Sequence, residues 1–240
     1  MLSSYRESAD VKAAIDNIQT RMNASHRTLI GLTGGPGSGK STLANYLAEH
    51  FSQPDTAIYD LGCSLGATSF AMAQRAKKGS EVIAVDSSKA MLDQLQQRVQ
   101  DHPLPTALTT IEADICDIDI SKASVVALNY TLQFVPVDKR RDLLQKIYEG
   151  MVDQGVLILS EKLAFEDAEV ERLFSELHHD FKRANGYSDL EISQKRDAIE
   201  DVLLPETIAV HKERLAACGF SRVEVWFQCF NFVSLVAFKS

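Results

Sequence analysis

The chain has 240 residues, 45% hydrophobic and 24% charged, with a formal net charge of −8. That is enough for one sizeable core with a small appendage, and the acidic balance argues against non-specific binding to nucleic acid. No run of about eighteen apolar residues exists to cross a membrane, and the polar start Met1–Asp10 lacks the apolar core of a secretory leader; the four cysteines (Cys63, Cys116, Cys218, Cys229) show no CxxC spacing, which suits a reducing, cytoplasmic setting better than disulfides or a zinc site.

Residues 3 to about 24 read as a helix, because Val11, Ala14, Ile15, Ile18 and Met22 recur at spacings of three and four. Ser8 or Asp10 can cap it. A short strand, Thr28-Leu29-Ile30-Gly31-Leu32, then leads into Gly34-Gly35-Pro36-Gly37-Ser38-Gly39-Lys40-Ser41. This fits G-x-x-x-x-G-K-[ST] between a strand and a helix (Ser41 to about Phe51) and resembles the start of a P-loop nucleoside or nucleotide kinase. In such a loop backbone amides cradle phosphates, Lys40 reaches the terminal phosphates and Ser41 holds magnesium. A P-loop domain also needs further parallel strands and a magnesium-binding acid. From Gln53 onward the chain instead begins a complete α/β domain of another type. Residues 1–51 are therefore expected to form a cap on a domain spanning 52–240, with phosphate binding by Gly39, Lys40 and Ser41 as the alternative.

The second domain opens on Ala57-Ile58-Tyr59-Asp60-Leu61-Gly62-Cys63-Ser64-Leu65-Gly66: a buried strand, a turn with two glycines and a helix from about Ala67. Gly62 lets the backbone turn sharply and approach a ligand. Glu81–Asp86 is a second apolar strand ending in an acid, about twenty residues after Gly66, where doubly wound sheets place the carboxylate that holds a ribose. Asp60 and Asp86 are thus the acids expected at a ribosyl ligand. Ser87-Ser88 caps a helix from Ser88 to about Val99, and Pro103 and Pro105 follow it. A third strand, about Ala107 to Glu112, leads to Asp114, placed to accept a hydrogen bond from an adenine amino group.

The fourth strand, Ser124–Asn129, carries Asn129 at its carboxyl end. A helix follows from Asp138 to about Gly150, then a fifth strand, Gly155–Ser160. A polar helical insertion spans 165–205 and contains His178 and His179, an adjacent pair without the third ligand that a metal site needs. A helix from Pro205 to Cys218 ends at Gly219. Two strands, about Arg222–Cys229 and Phe232–Lys239, form an antiparallel pair across Phe230-Asn231. This succession predicts an α/β, Rossmann-like class I methyltransferase architecture: a seven-stranded, mostly parallel sheet with an antiparallel C-terminal hairpin. The ligand that suits its acid placements is S-adenosyl-L-methionine.

From about residue 51 to 239 the chain resembles the carboxy-S-adenosyl-L-methionine synthase family. The matching words run in order: YDLGCSLGA from Tyr59, LNYTLQF from Leu128, LSEK from Leu159, HHDFKRANGYS from His178, LEISQKR from Leu190 and WFQCFNF from Trp226. The resemblance implies a transferase that converts S-adenosyl-L-methionine and prephenate into carboxy-S-adenosyl-L-methionine and phenylpyruvate, supplying the modification of tRNA wobble uridine to 5-oxyacetyl-uridine. It implies a homodimer in the cytoplasm that handles small molecules, with no direct nucleic acid and no membrane. It assigns Gly62, Cys63 and Ser64 to the methionine end of the cofactor, Asp86 and Ser87 to the ribose, Asp114 and Ile115 to the adenine, and Asn129 to a further contact. It makes Arg196 the arginine that binds the transferred carboxylate, a task that suits the bidentate guanidinium. It assigns no metal. The family's N-terminal tyrosine, in a Pro-Gly-Tyr-Ser-Asn context, has no counterpart here, where Pro36-Gly37-Ser38-Gly39-Lys40 stands. The other readings to be weighed are a plain methyltransferase, a P-loop kinase acting through residues 34–41, and an inactive protein that only binds S-adenosyl-L-methionine.

Overall fold

The structure, a computed structural model, describes residues 40–184, 186–188 and 203–240, with side chains from Ala44 onward. The expected N-terminal helix and strand, the glycine-rich residues 34–39, the Lys40 and Ser41 side chains, Arg196 and residues 189–202 of the insertion lie outside the described residues.

Seven strands form one sheet: β1 (Ala57–Leu61), β2 (Glu81–Asp86), β3 (Ala107–Glu112), β4 (Ala123–Asn129), β5 (Met151–Lys162), β6 (Arg222–Cys229) and β7 (Phe232–Phe238). Their spatial order is β3-β2-β1-β4-β5-β7-β6. The first five run parallel, and β7 is antiparallel to both β5 and β6. The hairpin therefore folds back so that its second strand, not its first, joins the parallel sheet.

The alternation of side chains along each strand distributes the core between two faces. Tyr59, Leu61, Val126, Leu128, Leu157 and Leu159 pack with Leu143, Leu144 and Ile147 of α4 (Val137–Gly150) and Leu215 of α6 (Ile208–Ala217). Ile58, Val125, Ala127, Val156 and Ile158 face Ala44, Leu47 and Ala48 of α1 (Lys40–Phe51) and Ala71 and Met72 of α2 (Ala67–Ala73). On β2, Ala84 meets Leu92 and Leu95 of α3 (Lys89–Asp101). All five residues of β1 are buried, as a central parallel strand covered on both faces requires.

Two element starts differ clearly from the sequence expectation. β5 starts at Met151, directly after α4. Its ladder passes from the Ala123–Met151 pair to the Val125–Val156 pair, so the intervening residues bulge out, with Gln154 at φ 62°. α6 starts at Ile208, not Pro205, because Thr207 takes the cap and its hydroxyl accepts from the Val210 amide. Glu206 is instead held in a bridge to Leu163. In the insertion, α5 (Ala168–Ala184) is helical. It seats the buried His178 ring edge-on against Phe232, 4.8 Å between centroids, so His178 is a packing residue there.

Candidate functional site

The carboxyl ends of β1, β2, β3 and β4 surround a cavity of about 630 Å³. Of the residues singled out from sequence, Gly62, Ser64, Asp86, Ser87, Asp114, Ile115 and Asn129 line it. They come from four separate strand ends, which is where open α/β sheets hold ligands.

The turn after β1 is drawn tightly inward. Gly62 sits at φ 76°, and a Cβ there would lie 2.4 Å from the Thr131 Cγ2. Its amide and that of Cys63 both donate to the Val85 carbonyl, at 2.9 and 3.0 Å. Cys63 itself leaves the wall: its side chain turns into the cluster of Ala84, Leu92 and Leu95, and burial pushes its thiol pKa well up. Asp60 is also withdrawn. It is 1% exposed, takes a hydrogen bond from the Ser69 hydroxyl, and burial raises its pKa to about 6. Of the two strand-end acids, only Asp86 faces the cavity, because the sheet's alternation turns Asp60 toward α2.

Asp86 ties two turns together. Its Oδ2 accepts from the Ser64 amide at 2.8 Å and its Oδ1 from the Ser88 amide at 2.9 Å. A carboxylate oxygen has two acceptor positions, so each oxygen keeps one for a ligand hydroxyl. Ser88 occupies the cap position of α3, yet its side chain makes no capping bond. Asp114 Oδ1 accepts from the Cys116 amide at 2.8 Å. The Asn129 amide is fixed from both sides: Nδ2 donates to Thr68 Oγ1 at 3.5 Å, and Oδ1 accepts from Ser160 at 3.1 Å.

The far wall is the segment from Tyr130 to Pro136, of which Tyr130, Thr131, Phe134, Val135 and Pro136 line the cavity. Neither its role nor that of Lys139 was assigned from sequence; the available signal was a polar-aromatic run beginning at a strand end. Buried polar groups hold it rigid. The Tyr130 amide donates to the Ser160 carbonyl at 2.7 Å. The fully buried Arg140 donates to the carbonyls of Val135, Gln133 and Leu204, at 2.9, 3.1 and 2.9 Å, and pairs with Glu206. Glu161, at the end of β5, accepts from the Leu132 amide at 3.0 Å. Its other oxygen has no partner among the described residues. Burial raises the Glu161 pKa to about 8, against the opposing pull of the Arg140 charge. A buried carboxyl is cheaper to hold neutral than charged.

A nucleoside-sized ligand fits this geometry. The cavity offers two acids at the ends of β2 and β3, an apolar lining from Met91, Ile115, Phe134 and Val135, and a glycine where a side chain would close the space. Among the described residues no cluster of three or more His, Cys, Asp or Glu side chains is placed to hold a metal ion, and no helix is long and apolar enough to cross a membrane.

Residues 58–155 match a methyltransferase-domain family model. The chain is 55% identical over 194 residues to the carboxy-S-adenosyl-L-methionine synthase of Vibrio cholerae, covering 80% of this chain and 79% of that protein. It is 53% identical over 195 residues to the enzyme of the same name from Trichlorobacter lovleyi, covering 80% of each. Among solved structures, magnesium protoporphyrin IX methyltransferase from Synechocystis PCC 6803, with bound SAM, superposes with a TM-score of 0.56 at 18% identity, over 84% of this chain and 78% of that one. At that identity the likeness shows the fold.

Proposed function

Because the chain belongs to the carboxy-S-adenosyl-L-methionine synthase family, we propose that it converts S-adenosyl-L-methionine and prephenate into carboxy-S-adenosyl-L-methionine, phenylpyruvate and water. The observation that carries this reading is the identity of 53–55% over four fifths of the chain; the cavity at the strand ends supports it.

The reaction balances without an oxidant. Prephenate loses its ring carboxyl, which is transferred, and its hydroxyl, which leaves as water with one proton from the accepting methyl. The ring becomes aromatic. S-adenosyl-L-methionine supplies the sulfonium-bound methyl carbon that accepts the carboxyl group.

Asp86 holds the ribose hydroxyls through the open position on each carboxylate oxygen, and Ser87 stands beside it. Asp114 accepts from the adenine amino group, and Ile115 packs against the ring. Gly62 and Ser64 bring bare backbone to the methionine end, and Asn129 presents its remaining amide hydrogen from an orientation fixed by Thr68 and Ser160. Lys139 is the one cation in the described lining, and Cys116 beside it marks its place at the adenine end. As the family resemblance implies, the cation for the transferred carboxylate is Arg196, a task that suits the bidentate guanidinium. A closed, water-poor pocket suits this chemistry, because water competes for a reactive carbon centre. The product is the one-carbon donor for making 5-oxyacetyl-uridine at the tRNA wobble position. The working unit is a cytoplasmic homodimer that meets small molecules and leaves the tRNA to a later enzyme.

The test is turnover of the purified protein with S-adenosyl-L-methionine, with and without prephenate, read by mass spectrometry of the nucleoside product. Carboxylated product that requires prephenate supports the reading. A product-free reaction, or a methylated acceptor made without prephenate, overturns it.

A further inference from the structure

Tyr130 stands apart from the other residues of the cavity wall. It is a bulky aromatic held at φ 60°, a left-handed conformation that such residues rarely adopt and that persists only where the surroundings impose it. Here they do: the Tyr130 amide is bonded to the Ser160 carbonyl at 2.7 Å, and its own carbonyl accepts from Gln133 Nε2 at 3.3 Å. The ring is set as firmly as the backbone. It lies edge-on to Phe232, 5.8 Å between centroids, and Phe232 in turn lies edge-on to the buried His178 at 4.8 Å. Strain of this kind, kept in a rigid frame at a cavity wall, is a mark of a functional position.

The position within the sheet gives the function its direction. Asp86 and Asp114 mark the nucleoside side, at the ends of β2 and β3. Tyr130 follows Asn129 at the end of β4, on the side away from them, toward β5 and β7. The co-substrate must enter on that side to meet the methionine end of the cofactor. It is an anion, and the described lining offers it little: Asp86 and Asp114 repel it, and Lys139 is at the adenine end. The Tyr130 hydroxyl is a neutral donor, and it makes no hydrogen bond among the described residues. Burial first, then the Glu161 carboxyl and the Cys229 thiol, push its pKa up, so it stays protonated and able to donate.

We propose that Tyr130 is a catalytic residue whose hydroxyl donates a hydrogen bond to a carboxylate oxygen of the dicarboxylic co-substrate, fixing the carboxyl group beside the accepting methyl. This rests on the carboxyl-transfer reading above. The nearby Glu161, held largely neutral, leaves that carboxylate without a repelling charge at this end of the cavity.

The test is Tyr130→Phe, which keeps ring, packing and backbone and deletes only the donor. Three measurements are made on full-length wild type and variant: the melting temperature, the affinity for S-adenosylhomocysteine by calorimetry, and kcat/KM for prephenate at saturating S-adenosyl-L-methionine. A lost hydrogen bond to a charged group is worth about tenfold to a hundredfold, so kcat/KM for prephenate falls by that factor while melting temperature and S-adenosylhomocysteine affinity hold. Unchanged kcat/KM overturns the proposal. So does a loss of S-adenosylhomocysteine affinity equal to the loss of activity, which makes Tyr130 part of the nucleoside pocket. Wild-type protein that is itself inactive with prephenate overturns the underlying reading instead, so the two failures are distinct.

Discussion

Replacing Gly62 by alanine tests the turn on which the cavity depends. Two costs add. A residue with a Cβ at φ 76° is strained by about 1–2 kcal/mol in the left-handed region. The new methyl would also lie 2.4 Å from Thr131 Cγ2, 2.5 Å from Oγ1 and 3.0 Å from Cβ, and overpacking of this kind costs about 1–3 kcal/mol. Alanine restricts the unfolded chain and returns about 0.4–1 kcal/mol. The net loss is about 1–4.5 kcal/mol, read as a lower urea midpoint at constant slope. The double variant Gly62→Ala, Thr131→Ala separates the two costs. Removing Cγ2 and Oγ1 relieves most of the overlap but none of the backbone strain, so the cycle shows a favourable coupling of about 1–2 kcal/mol. Because Thr131 is itself cavity wall, the single variant also weakens S-adenosylhomocysteine binding, and the double variant recovers part of it. Additive costs, or a Gly62→Ala loss under about 0.5 kcal/mol, would refute the claim that these two turns are in forced contact.

Asp86→Asn leaves one amide donor, from Ser64 or Ser88, facing an NH2 group; S-adenosylhomocysteine affinity falls about tenfold to a hundredfold by calorimetry, and unchanged affinity removes Asp86 from the ribose site. Glu161→Gln tests the raised pKa. With a folded value of about 8 and an unfolded value near 4.3, the folded state binds the extra proton, so wild-type stability falls as pH rises, by about 1.5 kcal/mol between pH 6.5 and 8. The glutamine variant loses that slope in urea melts, and an equal slope in both proteins contradicts the assignment. His211 has the opposite sign. Both its ring nitrogens are buried without a partner among the described residues, and burial lowers its pKa to about 4, so its neutral form is stabilising above pH 6.5 and costs stability as pH falls toward 4. His211→Leu therefore gains about 2 kcal/mol on wild type in going from pH 7 to pH 5; a pH-independent difference refutes this.

The central strands were legible because each is a short apolar run closed by a polar residue at the ligand edge, as Glu81–Asp86 and Ala123–Asn129 show. Asp86 and Asp114 could be placed from spacing alone, since strand ends of a parallel sheet converge on one crevice. Cys63 could not: whether a turn residue faces ligand or core depends on how Gly62 bends, and its thiol went inward. The Tyr130–Pro136 wall was also hidden. Its path is set by bonds from distant residues, namely Ser160, Glu161, Arg140 and Leu204, and no local pattern records them. Arg140 misleads outright, for a charged residue on an amphipathic helix reads as solvated, whereas here it is 0% exposed and satisfied by three carbonyls and Glu206. β5 was read too short because Val152, Asp153 and Gln154 form a bulge without strand-like alternation.

The measurement that bears most directly on the central claim uses prephenate carrying carbon-13 in its ring carboxyl group. The protein is incubated with this and unlabelled S-adenosyl-L-methionine, and the nucleoside product is analysed by mass spectrometry. The account predicts carboxy-S-adenosyl-L-methionine with the label in the new carboxyl group and unlabelled phenylpyruvate in equal amount. Label released only as carbon dioxide, with S-adenosyl-L-methionine recovered unchanged, would contradict it.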